Sequence, residues 1–166
     1  MNVIVIPRIK SLKVSDGFSL DVTFKDGKKH HVNLRGWIAT GGDILAALAD
    51  ADLFAQARIG DYGASVEWDE GDLAIDATHL MLLAQQQRPV TRTELAKWQA
   101  TFGLSNNEAA DLFRISLSSW NNYKAGGRVP EPTQMLMRAM ERDPIVLQAF
   151  FRPRVSGRPK KVKRSA

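Results

Sequence analysis

The sequence predicts two domains of different classes, an α+β domain over residues 1–84 and an all-helical domain over residues 91–151. The first part alternates apolar and polar residues with the period of half-buried strands, which predicts a small, mostly antiparallel sheet with helices. The second part twice shows serine or threonine followed three residues later by glutamate, a pattern that begins helices. Residues 85–90 predict a linker, and residues 152–166 contain too few apolar side chains to fold alone, which predicts a disordered basic tail.

Charge is distributed unevenly along the 166 residues. The net charge of +5 divides into −3 for residues 1–88, +1 for residues 89–151 and +7 for residues 152–166. Such a basic segment favours a nucleic-acid partner, whereas DNA would repel the acidic first half. The absence of cysteine excludes disulfides and thiolate metal ligands and fits a cytoplasmic location. No stretch approaches the ~18 apolar residues of a membrane span, so no membrane association is expected.

Three strands are expected near the N-terminus, over residues 7–14, 18–24 and 30–34. The connection between the second and third can form in two ways. A two-residue turn of Asp26 and Gly27 would place Val32 on the opposite face of the sheet from Val22. A three-residue loop that ends in a left-handed Gly27 pairs Leu20 with Val32 instead. The loop keeps all apolar residues on one face, so a bulged hairpin is predicted.

The rest of the first domain is expected to contain short elements. These are a helix over residues 43–49 with Ile44, Leu45 and Leu48 inward, a turn capped by Asp52, strands over residues 56–59 and 65–68, and a helix from Asp76 to Leu83.

Ten residues of the first domain form a recognisable series: Phe24, Asp26, Gly27, Leu48, Asp50, Leu53, Phe54, Trp68, Ile75 and Asp76. Their spacing resembles that of a small bacterial α+β family of unknown function. Ala51 and Asp52 stand where that family usually has proline. Its members are often encoded near toxin–antitoxin genes, so the resemblance implies a regulatory context.

The second domain begins with two helices, each opened by a capping box. Thr91 with Glu94 opens the first, and Ser105 with Glu108 opens the second. A three-residue connection then leads to a third helix capped by Ser116. Two short helices on so tight a turn predict a helix-turn-helix, whose second helix can lie in the major groove of DNA.

Nine residues carry a further resemblance: Leu104, Ser105, Ala110, Leu112, Ile115, Ser116, Trp120, Tyr123 and Gly126. In these positions the second domain is similar to the lambda-repressor-like (Cro/cI, Xre) helix-turn-helix family. Trp120 and Tyr123 are expected to face the core, and Gly126 to end the helix. Asn106 stands where the family commonly has a glutamine that binds phosphate. Arg114 occupies the turn position where the family prefers glycine.

The predicted DNA-binding residues are Asn106, Ser116, Leu117, Ser118, Asn121, Asn122, Lys124 and Arg128. Asparagine can pair with adenine through two hydrogen bonds, and serine suits either kind of base edge. Leu117 can touch only a thymine methyl group or a sugar, whereas Lys124 and Arg128 are expected to contact phosphates. In the tail, Arg158, Lys160 and Lys161 are expected to contact phosphates or the minor groove.

Other polar clusters are expected to be structural. His30 and His31 are neighbours in a strand and point to opposite faces, so they are interpreted as ordinary strand residues rather than metal ligands. Asp69, Glu70 and Asp72 flank a glycine and predict a solvated turn rather than paired catalytic carboxylates. Neither a metal nor a cofactor is expected.

Two later helices complete the second domain, one capped by Thr133 and one opened by Pro144. They contribute four apolar residues that could form the surface of a homodimer or equally dock the first domain: Met135, Met140, Leu147 and Phe150.

Together these patterns favour a sequence-specific DNA-binding regulator of transcription, with an antitoxin-like autoregulator as its narrower form, and not an enzyme. The expected partners are double-stranded DNA, a second copy of the chain and a protein bound by the first domain. Two alternatives stay open. One is a protein-interaction module with a degenerate helix-turn-helix, which Leu117 and Arg114 favour. The other is a nonspecific nucleic-acid binder that acts through the tail.

Overall fold

The computed structural model describes residues 5–154, which form two compact units with their boundary between Arg88 and Pro89. None of the helices in this part of the chain is long and apolar enough to cross a membrane.

In its described residues, 5–88, the first unit contains two antiparallel three-stranded sheets and four α-helices. The first sheet consists of β1 (Ile9–Ser15), β2 (Ser19–Phe24) and β3 (Lys29–Asn33), and the second of β4 (Arg58–Ile59), β5 (Ser65–Trp68) and β6 (Leu73–Asp76). The helices are α1 (Arg35–Thr40), α2 (Gly42–Leu45), α3 (Ala51–Phe54) and α4 (Ala77–Gln87). Apolar residues of both sheets and of α4 share one core, which includes Leu20, Val32, Trp68 and Leu80.

The hairpin between β2 and β3 has the predicted register, with Leu20 opposite Val32. The Phe24 amide donates to the Lys28 carbonyl over 2.9 Å. Gly27 has a φ of 86°, the left-handed conformation that the three-residue loop requires. The bulged hairpin is therefore confirmed. The short strand at Ser65–Trp68 and the cap of α4 by Asp76 are also confirmed.

Phe18 was expected within the second strand, but it lies in the turn before β2 with a φ of 59°. Ser15 pairs with Ser19, so only three residues are left to reverse the chain. The turn directs the Phe18 ring against Phe54, with the ring centroids 5.3 Å apart and the rings edge to face. The turn geometry therefore overrides the alternation of apolar residues at this position.

The prediction for residues 43–49 is wrong in one residue, because Ile44 is 78% exposed. α2 is a single turn followed by a 3₁₀ turn, Ala46–Ala49, whose tighter winding changes which side chains face inward. Leu45 and Leu48 are buried as expected. The next helix is capped by Asp50 and not by Asp52. The Asp50 carboxylate accepts from two backbone amides of the first turn over 2.9 and 3.0 Å.

The predicted linker begins too early, because residues 85–87 form the last turn of α4. The Gln87 carboxamide donates to the Asn33 carbonyl over 2.7 Å and accepts from the Asn33 amide over 2.8 Å. A side chain thus pairs with the end of β3 as a neighbouring strand would. This partner is distant in sequence, which explains why glutamines on a helix resembled a linker. α1 and β6 were also not predicted.

The second unit contains five helices among its described residues: α5 (Arg92–Phe102), α6 (Asn106–Leu112), α7 (Leu117–Lys124), α8 (Glu131–Arg142) and α9 (Pro144–Phe150). Both capping boxes are confirmed, and Ser116 caps α7 as predicted. Thr133 does not cap α8 and is instead buried within its first turn. The helix begins earlier because Pro130 and Pro132 suit its start, where backbone amides have no helical partner.

Aromatic side chains form the centre of the second core. Trp120 is fully buried, and its ring is stacked on Phe113 with centroids 5.6 Å apart. Trp98 lies against both rings, at 5.3 Å from Phe113 and 6.2 Å from Trp120. Of the four residues considered for a dimer surface or for docking the first domain, Met140 and Leu147 are buried in this core.

The turn between α6 and α7 is a Schellman motif with arginine in the left-handed position. Arg114 has a φ of 57°. Its amide donates to the Asp111 carbonyl over 3.1 Å, and the Ile115 amide donates to the Ala110 carbonyl over 3.0 Å. These two bonds define the motif, which usually places glycine where Arg114 lies.

We predict that Trp120→Ala lowers the free energy of unfolding of the second unit by about 3–5 kcal/mol, because it removes a fully buried indole from the centre of the core. Leu117→Ala is a control on the same helix, since Leu117 is exposed and should change stability by less than about 1 kcal/mol. Hydrogen exchange on the full chain would report each unit separately. Equal exchange protection in the two variants would contradict the prediction.

Arg114→Gly should leave the stability of the second unit nearly unchanged. The substitution removes a left-handed penalty of roughly 1 kcal/mol but adds a similar entropic cost of about 0.5–1 kcal/mol. Lys97→Gly, at an exposed position within α5, adds the entropic cost of glycine and relieves no left-handed strain. It should therefore lower stability by about 1 kcal/mol. Denaturant midpoints of the three proteins distinguish these expectations, and an equal loss in both variants would show that the left-handed strain at Arg114 is negligible.

Candidate nucleic-acid interface

The outward face of α7 is set by the residues that the helix buries. Trp120 is buried and Tyr123 half-buried against the core. At 3.6 residues per turn, the opposite side of the helix carries four exposed residues. They are Leu117, Ser118, Asn121 and Asn122. The structure therefore brings these predicted site residues onto one solvent-exposed face.

The surroundings of this face favour an anionic partner. Residues 112–130 contain three cations, Arg114, Lys124 and Arg128, and no aspartate or glutamate. Arg114 and Arg128 are exposed, and Lys124 is half-buried. Amides and hydroxyls on a segment whose charged side chains are all cationic can bind a polyanion and still discriminate between hydrogen-bonding partners.

Three of the predicted site residues form a hydrogen-bonded cluster. Asn106, the first residue of α6, accepts a bond from the Lys124 ammonium group over 3.0 Å through its Oδ1. Its Nδ2 donates to Asn121 Oδ1 over 3.3 Å. Asn106 therefore joins the start of α6 to the exposed face of α7.

Gln99, which was not predicted as a site residue, completes this cluster from inside the core. It is 7% exposed. Its Nε2 donates to the Leu104 carbonyl over 3.0 Å and to Asn106 Oδ1 over 2.9 Å, and its Oε1 accepts from Trp120 Nε1 over 3.2 Å. One sequence signal was available, because Gln99 lies four residues after the buried Leu95, on the apolar face of α5.

Ser116 and Asn122 have structural partners of their own. The Ser116 hydroxyl caps α7 by accepting from the Ser119 amide over 3.0 Å. Asn122 packs beside Gly127, where an added Cβ would lie 2.9 Å from the Asn122 carbonyl and even closer to its side-chain amide. Glycine is therefore required at position 127 to make room for Asn122. Leu117, Ser118 and Arg128 are exposed.

The chain segment before the basic tail is attached to α6. Arg154 Nε and Nη2 donate to the two carboxylate oxygens of Asp111 over 2.7 and 2.9 Å. The hydrogen bond from Arg154 lowers the pKa of Asp111, and the same bond raises the pKa of Arg154. Arg154 was expected within the basic tail, and in the described part of the chain it is paired with Asp111. Arg158, Lys160 and Lys161 lie outside the described residues.

The polar clusters of the first unit have simple structural surroundings. His31 Nδ1 lies 2.8 Å from Asp21 Oδ1, and this hydrogen bond lowers the pKa of Asp21. The His30 ring is half-buried edge-on against Phe24, and burial lowers the pKa of His30. Across residues 5–154, no group of three or more histidine, aspartate or glutamate residues is arranged to hold a metal ion.

The acidic residues after β5 lie in an exposed turn, as expected. Asp69–Gly71 forms a tight turn that joins β5 to β6, and Asp72 is exposed beside it. Asp69 and Glu70 both have positive φ values, 48° and 54°.

Comparison with known proteins finds a family model that matches most of the first unit. Residues 9–86 match the family described as Protein of unknown function (DUF2442). This match is consistent with the resemblance that the sequence predicts for the N-terminal half. It covers just under half of the chain and ends before α5. No curated protein matches the chain.

Among solved structures, the chain is similar to the crystal structure of a candidate DNA-binding protein, NE0471, from Nitrosomonas europaea ATCC 19718. The two share 22% sequence identity with a TM-score of 0.46, and the similarity covers 85% of this chain and 90% of that one.

We predict that Arg154→Gln raises the pKa of Asp111 toward its ordinary value of 3.8. Because the folded-state pKa is lowered, the pair stabilises the fold above about pH 4, and this contribution is lost as the pH falls through the folded pKa. Carboxyl NMR titration of the full chain measures the change directly. Arg142→Gln, at the end of α8, is the control that should leave the Asp111 titration unaltered. An unchanged Asp111 pKa in Arg154→Gln would contradict the prediction.

Proposed function

We propose that the second unit binds double-stranded DNA through α7 and that the chain is a sequence-specific regulator of transcription. In this proposal α6 and α7 are the two helices of a helix-turn-helix, and α7 is the recognition helix. The observation that carries the proposal is the exposed face of α7, which presents amides and a hydroxyl beside cations and has no carboxylate.

The dimensions of α7 and its anchoring support this role. An α-helix fits the major groove, where each base pair presents a distinct set of donors and acceptors. Because Trp120 is fixed in the core, the side chains of Ser118 and Asn121 extend from a rigid support. The tight turn at Arg114 lets α6 cross the DNA backbone while α7 enters the groove.

The residues divide into two roles. Ser118 and Asn121 would contact base edges, and Leu117 would contact a thymine methyl group. Lys124 and Arg128 would contact phosphates and so orient the protein without reading sequence. The basic residues of the tail would add phosphate contacts of the same kind.

A homodimer is part of the proposal, since a dimer can read two half-sites about one helical turn apart. Of the four apolar residues considered from the sequence, Met135 and Phe150 are exposed. Ile145 on α9 is exposed as well, so both final helices carry apolar side chains at the surface. The same residues also support the alternative of a protein-interaction module.

The first unit would bind a protein partner or effector, with antitoxin-like autoregulation as the narrower hypothesis. We infer binding rather than catalysis, because the features of α7 that stand out are hydrogen-bonding amides and cations, which recognise a ligand without transforming it.

We predict that Asn121→Ala lowers affinity for the preferred duplex by about 1–3 kcal/mol while leaving thermal stability nearly unchanged. Selection from randomised duplexes by the full chain would define the preferred sequence, and titrations against that duplex and a scrambled one would measure the loss. Gln148→Ala, at an exposed amide on α9, is the matched control. An equal loss on both duplexes would mean that Asn121 does not read bases. A wild-type chain that enriches no sequence would refute sequence-specific binding itself.

A further inference from the structure

The carboxamide of Gln99 can adopt only one orientation. The Leu104 carbonyl can only accept a hydrogen bond, and the Trp120 indole N–H can only donate one. Gln99 therefore turns its amino group toward Leu104, at 3.0 Å, and its oxygen toward Trp120, at 3.2 Å. The reverse orientation would place donor against donor and acceptor against acceptor in a buried site.

The orientation of Gln99 determines that of Asn106. The Gln99 amino group lies 2.9 Å from Asn106, and the Lys124 ammonium group lies 3.0 Å from the same atom. Both groups are donors only, so the atom that faces them is the Asn106 oxygen. The Asn106 amino group is then the one that faces Asn121, at 3.3 Å.

Asn121 in turn directs its side-chain oxygen toward Asn106, so its side-chain amino group points away from Asn106. The exposed side chain is therefore held as a hydrogen-bond donor. Two-bond pairing with adenine needs the oxygen as well as the amino group, whereas guanine presents two acceptors, N7 and O6, in the major groove.

We propose that Gln99 and Asn106 are positioning residues that hold Asn121 as a donor and so make it select guanine over adenine. The proposal rests on the DNA-binding function proposed above and adds the base class that one residue reads. It also changes the role expected for Asn106 from phosphate contact to support of a base-reading residue.

Asn106→Asp tests the orientation without changing the size of the side chain. The new carboxylate can still accept from Gln99 and Lys124, but it cannot donate to Asn121. Asn121 would then turn its amino group inward and present its oxygen. The preferred base at the position read by Asn121 should change from guanine to one that donates, adenine or cytosine, by about fivefold or more.

Asn107→Asp is the charge-matched control, because Asn107 follows Asn106 on α6 and is outside this set of hydrogen bonds. Its added negative charge should weaken binding to all duplexes alike. Randomised-duplex selection would be carried out with the full-length wild type, both aspartate variants and Asn121→Ala, which locates the position that Asn121 reads. The proposal is overturned if Asn106→Asp retains the base preference of Asn107→Asp, or if the wild type prefers adenine at that position.

A measurement without DNA separates this proposal from the proposed function. Asn106→Asp should shift the side-chain amide NMR signals of Asn121 in the free full-length protein, and Asn107→Asp should not. Gln99→Met should shift them too, whereas Gln134→Met removes an amide that bonds to the Val90 amide and the Val129 carbonyl and should have no effect. Unshifted Asn121 signals in both Asn106→Asp and Gln99→Met would refute the chain of hydrogen bonds from Gln99 through Asn106 to Asn121. If the wild type enriches no duplex, the proposed function and the base assignment both fail. The NMR signals then still decide whether this chain of hydrogen bonds orients Asn121.

Discussion

The burial of the Trp120 indole is the constraint on which the second unit depends. The indole fills the space beside Phe113 and Trp98, so it fixes the rotation of α7 about its own axis and determines which residues face solvent. Its N–H also needs an acceptor inside the core, because a buried donor without a partner is costly. Gln99 is that acceptor, and its remaining amide group connects the core to Asn106. Apolar packing and the polar surface of α7 are therefore parts of one arrangement.

Three successive helices end with a left-handed residue closed by two backbone hydrogen bonds, and in one of the three that residue is arginine. α5 and α7 end with Gly103 and Gly126 in left-handed conformations, and α6 ends with Arg114 in the same conformation. In each case two backbone hydrogen bonds close the turn. Arg114 is exposed, so its side chain extends into solvent and the only penalty is local. The turn is held by its hydrogen bonds and by the packing of the helices on either side.

Features encoded by neighbouring residues could be predicted from the sequence, whereas those that depend on distant partners could not. The capping boxes at Thr91 and Ser105 and the register of the β2–β3 hairpin each follow from residues close together along the chain. The role of Gln87 depends on a strand more than fifty residues earlier. The role of Gln99 depends on Trp120, twenty-one residues later, so a buried amide resembled an ordinary helical residue.

Electrostatics limits how the proposed DNA-binding function could operate. The region around α7 offers three cations, and each phosphate that is neutralised contributes about −0.9 to the slope of log affinity against log salt. One unit would therefore have a slope of roughly −3, whereas proteins with strong salt dependence make roughly six to ten phosphate contacts. Arg154 adds little to this number, because its charge is already paired with Asp111. Physiological affinity would accordingly require more cations, supplied by a second copy of the unit or by the five lysine and arginine residues that follow Arg154 in the sequence.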